Sequence, residues 1–165
     1  ASLPARGARA TEAAGGLSGS LGGARWRVLW PKAASRASPA ANDAGLALAV
    51  RGGGTPPTLL LGDLSASPQR LLAISGALDP PYAVVKTAHH GSADQDAALY
   101  IAAAPSIALV TVGAGNDYGH PRDEALAILD DVGARIVRTA RHGAAGRPPA
   151  HRGYSAPGGL VRAPQ

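Results

Sequence analysis

Apolar residues in this chain fall in short runs broken by glycine, proline and polar clusters. The runs Trp26–Trp30, Leu46–Val50 and Thr58–Leu61 have the length and side-chain types of β-strands, and "GGGTPP" between the last two reads as a turn. The period then changes. "SPQRLLAISG" predicts a helix with Ser67 as N-cap, Pro68 at the first helical position and Gly76 as the stop. "YAVVKTA" is a β-branched run bounded by Pro81 and His89, so it predicts a buried strand. "DQDAALYIAAAP" predicts a helix closed by Pro105, and "SIALVTV" another strand. "HPRDEALAILDDVG" predicts a helix from Pro121 to Gly133, with Asp123 and Glu124 in its first turn, and "ARIVRT" a last strand. Three strands followed by alternating helices and strands predict an α/β layered domain, with locally parallel strands joined by right-handed crossovers.

The ends of the chain lack such periods. Residues 1–24 are rich in Gly, Ala and Ser and read as a flexible lead; residues 144–165 read as a Pro/Gly/Arg-rich tail. The organised domain is therefore expected over residues 25–143. No internal repeat is visible.

Composition narrows the chemistry. The 165 residues suffice for one domain with a real core, built without Phe, Met or Cys. Without cysteine there are no disulfides, thiolate metal sites or cysteine nucleophiles. No apolar run approaches the roughly 20 residues of a membrane span, so the chain as given is expected to be soluble. The net charge of +5 favours a polyanionic partner. Several arginines lie near the ends, so an arginine-rich solvated surface explains the charge equally well.

Candidate chemistry gathers after the predicted strands. In an α/β sheet the loops leaving the carboxyl ends of parallel strands share one edge, where sites are usually built. "GDLS" brings Asp63 there, "HHGS" brings His89, His90 and Ser92, and "GAGNDYGHP" brings Asn116, Asp117 and His120. A carboxylate with neutral imidazoles is a donor set for divalent Zn, Mn or Fe. An imidazole outside that set can serve as general acid or stabilise charge on a phosphate. Each residue also has a bland reading. Asp63 after Gly62 suits a turn, His120 before Pro121 a helix cap, and Asn116 and Asp117 a loop, while Lys86 in a strand snorkels or pairs. Only the shared edge raises the weight of the functional reading.

"LLLGDLS", "VVKTAHHGSAD", "ALVTVGAGNDYGHP" and "RIVRTARHG", in this order, resemble the C-terminal part of the metallo-β-lactamase-like domain of the ComEC-type competence protein, which takes up DNA across the bacterial cytoplasmic membrane. "WRVLWP" and "NDAGLALAV" also fit, so the resemblance covers roughly Trp26 to Gly143. It implies the second half of an αββα sandwich and a metal-dependent phosphodiesterase acting as a nuclease on single-stranded DNA. By that likeness Asp63 stands at the metal-bridging carboxylate and His89 or His90 at the late histidine ligand. His89 is assigned to the Mn or Zn ion, and His90, His120 and Asn116 to catalysis. Lys86, Ser92 and Arg122 are assigned to nucleic-acid contact.

The family's early His-x-His/Asp-x-Asp-His run is absent, and Ala140 stands where an Asp is usual after Thr139. The expectation is therefore either a piece of a larger membrane protein, with this domain soluble on the outer face and beside the channel portion, or a degenerate copy that cannot hold two metals, the piece being the favoured reading. Its metal site is expected to be incomplete, its isolated turnover little or none, and no small-molecule cofactor is called for. One sheet face would then lack its partner layer, predicting self-association. The alternatives are a non-catalytic DNA-guiding module, with Arg135 and Arg138 adding to the contacts, and a hydrolase of another small ester or phosphodiester.

Overall fold

The structure, a computed structural model, describes residues 12–32 and 41–142. Its strands are β1 (Ser18–Leu21), β2 (Ala24–Trp30), β3 (Ala47–Gly52), β4 (Thr55–Leu60), β5 (Val84–Lys86), β6 (Ile107–Val110) and β7 (Arg135–Arg138). The helices are α1 (Ala66–Ala73), α2 (Ala97–Ala103), α3 (Asp123–Asp131) and α4 (Thr139–His142). All seven strands lie in chain order in one mixed sheet. β1 to β4 form an antiparallel meander and β4 to β7 run parallel. The fold is α/β, strands first and alternating units after, as the pattern predicts.

Right-handed crossovers adding strands in one direction put their helices on one face. There α1 packs against α2 and α2 against α3. The register makes the consequence explicit. Arg27, Ala49, Leu59, Val85, Ala108 and Ile136 share one row, in which Leu59, Val85 and Ala108 are fully buried. The neighbouring row on the opposite face holds Leu48, Leu60, Lys86, Leu109 and Val137, all half-exposed. A second row on that face, with Val50, Val84 and Ile107, is half-exposed too. One apolar face of the sheet thus lies partly open.

Several boundaries differ from the sequence expectation; α3, for one, begins at Asp123 with Arg122 as N-cap, two residues after Pro121. β1 lies inside the segment read as a flexible lead. Gly22 and Gly23, both at positive φ, make the two-residue loop that pairs Leu21 with Ala24. The turn read as "GGGTPP" is shorter, because Thr55, Pro56 and Pro57 belong to β4. These prolines fall at a register shift between Val50 and Gly52, where fewer ladder N–H groups are required. α1 begins two residues before the expected start, with Ser65 as N-cap, so Pro68 sits within the first turn, which still tolerates it. Ser65 Oγ donates to Asp43 instead of capping the helix. Finally, Thr139 opens the short α4, which the pattern did not predict. The tail at 144–165 and residues 1–11 of the lead lie outside the described residues.

Candidate functional site

The parallel strands deliver their loops to one edge, and the chemistry of each loop follows from how it is held there. After β4 comes Gly62 at φ +55, where a Cβ would stand 2.8 Å from the Leu46 carbonyl oxygen. Only glycine allows that turn, and it presents Asp63 outward.

After β5 the chain makes a 3-10 turn, Ala88–Gly91, in which His89 (φ 43), His90 (φ 56) and Gly91 (φ 81) are all left-handed. Each of the two histidines costs roughly 1–2 kcal/mol in that conformation, so the turn persists only because other groups impose it. His89 N–H donates to the Gly62 carbonyl at 3.0 Å, tying the β5 loop to the β4 loop. The Gln95 amide donates to the carbonyls of Ala88 and Ser92, both at 3.1 Å. Tyr100 of α2 donates its hydroxyl to Gln95 Oε1 at 2.6 Å and accepts from Ala88 N–H at 3.3 Å. Burial pushes the Tyr100 phenol well above its ordinary range, so it stays protonated and keeps donating. Strained backbone, over-determined from beneath, is a recurrent mark of functional loops.

The third loop closes against the second. A Cβ on Gly91 would approach the Pro121 Cβ to 2.7 Å, and Arg122 N–H donates to the Gly91 carbonyl at 2.8 Å. This contact carries His120 to the histidine pair. The His89 and His120 rings meet edge to face with centroids 5.7 Å apart. His120 is held below its ordinary pKa, first by burial and then by the neighbouring His89, Arg122 and His90. It is therefore a neutral imidazole at pH 7. His90, Thr111, Asn116, Tyr118 and His120 line a cleft of about 450 Å³.

The geometry of His90 is the most informative. Its Nδ1 lies 2.6 Å from the Thr111 carbonyl oxygen. A carbonyl only accepts, so Nδ1 carries the hydrogen and Nε2 of a neutral ring is left with its lone pair. That Nε2 stands 3.7 Å from Asp63 Oδ1. Two acceptors face each other across a gap that a proton or a cation would reconcile. A backbone carbonyl behind an imidazole is also the usual way metal-binding histidines are oriented.

Asp63 has a second cationic neighbour. Lys86 Nζ lies 3.9 Å from Oδ1 and donates to the Gly62 carbonyl at 3.3 Å. Burial lowers the Lys86 pKa, and Asp63 partly opposes it.

The structure thus brings Asp63 and His90 together, and His89 to His120. The remaining candidates are placed differently. Asn116 braces its own loop: its amide donates to the His120 carbonyl and its Oδ1 accepts from Tyr118 N–H at 3.1 Å. Ser92 is only 6% exposed and its hydroxyl accepts from Gln95 at 3.3 Å, so it belongs to the support under the loop. Arg122 is exposed and reaches back to the Tyr118 carbonyl at 3.0 Å. Among the described residues, no group of three or more His, Cys, Asp or Glu side chains is arranged to hold a metal ion.

Sequence reasoning missed Gln95, Tyr100 and Thr111. Gln95 and Tyr100 sit in or before a helix whose apolar face hides their role. Thr111 acts on His90 through its backbone carbonyl, a contribution that any residue type could make.

In comparisons with known proteins, no family model, no curated protein and no solved structure matches the chain.

Proposed function

We propose that this chain is the second half of a metal-dependent phosphodiesterase domain, similar to that of the ComEC-type competence protein, acting as a nuclease on DNA during uptake. The observation that supports it above others is the facing pair of acceptors, Asp63 Oδ1 and His90 Nε2, 3.7 Å apart at a strained strand end. In this reading His90 rather than His89 joins Asp63 as a donor to Mn or Zn, because only His90 is oriented by a carbonyl. Two donors do not make a complete site, so the others come from a part of the protein outside the described residues.

When bound, a divalent ion lowers the pKa of water and offsets charge on phosphoryl oxygens. What this chain's own groups do can be stated separately. His120, neutral at pH 7 and steadied by the edge of His89, is suited to hydrogen-bond a phosphoryl oxygen or to take a proton from water. Arg122, exposed beside it, supplies positive charge to the phosphate. Asn116 keeps His120 in place by bracing its backbone. The strained turn keeps both histidines pointed at one edge without reorganisation.

In this reading the parent protein sits in the bacterial cytoplasmic membrane with this domain on its outer face. Among the described residues no helix is long and apolar enough to cross a membrane, so the channel portion belongs to another part of the protein. The test is metal content together with Mn- and Zn-dependent cleavage of single-stranded DNA. It compares this chain with a version extended through the early histidine motif. The extended form should bind metal and cut, and His90→Ala should abolish both. An extended, folded and metal-loaded form that leaves DNA intact would overturn the reading.

A further inference from the structure

The opposite edge of the sheet carries a second site. The helix-side face of β1, β2 and β3 extends beyond α1, and its side chains there are polar. Ser18 pairs with Arg27, Ser20 with Arg25, and Arg25 in turn with Arg51, so these five residues share that face. With the loop at Gly76–Asp79 as one wall, they line a groove of about 740 Å³. That volume is in the range of ligand clefts and exceeds what one small anion fills.

Three guanidinium groups meet one carboxylate in this groove. Arg51 is fixed in place: it lies 4.9 Å over the Tyr82 ring and pairs with Asp79 at 3.3 Å. Arg27 is exposed and donates to the Ala77 carbonyl at 2.5 Å, an interaction that leaves its charge unneutralised. Arg25 is exposed and makes no hydrogen bond or ion pair among the described residues. The excess is therefore two positive charges. Residues two apart on a strand stand about 6.8 Å from one another, and directly paired residues about 5 Å. The cations form an L-shaped row, which suits a chain of phosphates rather than a single one. Trp26, Ala49 and Leu78 also line the groove, but its charged groups are three guanidinium groups against one carboxylate, which would hold a strand by its phosphates.

We infer that the Arg25–Arg27–Arg51 groove binds the phosphodiester backbone of a nucleic-acid strand. The groove lies near the start of β4 and the histidine edge near its end. Across the six residues of β4 that is a separation of roughly 20 Å. The two sites are therefore distinct, and the groove does not depend on the nuclease reading.

The experiment is fluorescence anisotropy of a labelled oligodeoxythymidylate on the full chain across a salt series. Arg25→Ala/Arg27→Ala should weaken binding at least about tenfold at low salt. It should also shrink the log–log salt slope by about 1.4, the value for two lost phosphate contacts on a single strand. Ser18→Asp/Ser20→Asp, which leaves the Arg27–Ala77 bond intact, should weaken binding similarly and guards against a folding artefact. His90→Ala/His120→Ala should remove any cleavage, and adding Arg25→Ala/Arg27→Ala to that variant should still lower its oligonucleotide affinity by the same factor, so failure of one reading is visible apart from failure of the other. Wild-type affinity in both groove variants would overturn the inference. So would polyglutamate of matched charge binding as tightly, or inorganic phosphate displacing the strand at equal phosphate concentration.

Discussion

The two faces of the sheet are made from the same strands and are treated differently by the rest of the chain. Leu59 and Leu60 are neighbours in β4, yet Leu59 is fully buried beneath the helices and Leu60 is half-exposed on the other side. The same contrast separates Val85 from Val84 and Ala108 from Ile107. A parallel strand buried on both sides reads as a continuous apolar run, and these strands read that way. The difference teaches that the sequence is written for two covering layers, of which the described residues supply one. The histidine edge hangs from the covered side, since Gln95 and Tyr100 support it from the helix layer.

The sharpest way to break that comparison is a matched pair of truncations. Leu59→Ala should cost about 2–5 kcal/mol in chemical denaturation, as for other deeply buried leucines, whereas Leu60→Ala should cost well under half as much. Equal losses would mean that both faces are covered in solution. The same face predicts concentration-dependent self-association by light scattering, reduced by Leu109→Lys; a monomeric, sharply two-state melt at high concentration would refute it.

Next in size is Gly91→Ala. It places a side chain at φ +81 and against Pro121, so a loss of about 2–3 kcal/mol is expected, with His120 displaced from His89. Tyr100→Phe should follow at about 1–3 kcal/mol, because it leaves Gln95 Oε1 and the Ala88 amide without a partner in a buried place. A neutral result would show that the loop is held from elsewhere.

The smallest effect is in pH. His120 has its pKa lowered in the folded state, so the unfolded chain binds the proton more readily. Stability from this group is full above the unfolded value of about 6.5 and is lost as pH falls toward the depressed folded value. His120→Gln should flatten the melting temperature against pH in that window. A slope unchanged by the substitution would assign the effect to another group.

Much of this was legible in the chain. The β-branched runs, Pro105 and Gly133 marked strands and helix ends because each acts locally. Asp63, His90 and His120 could be placed on one edge because strand polarity follows from alternating order. Other features resisted for physical reasons. β1 is short and half made of serine and glycine, so only the Gly22–Gly23 pair signalled it. Which histidine faces Asp63 depends on two successive left-handed residues, a conformation that sequence preference argues against. The arginine groove required register, since Arg25 and Arg51 become neighbours only when β2 and β3 pair.

The strained histidine turn has a consequence for how this protein would look in a genetic screen. Its shape is stored as tension and released by whatever loosens Gln95 or Tyr100, neither of which lines the cleft. Selection for activity would therefore recover inactivating changes in α2 and the segment before it. Someone mapping those hits onto the chain alone would centre the site on a helix that packs in the core and supports the two rings only from beneath.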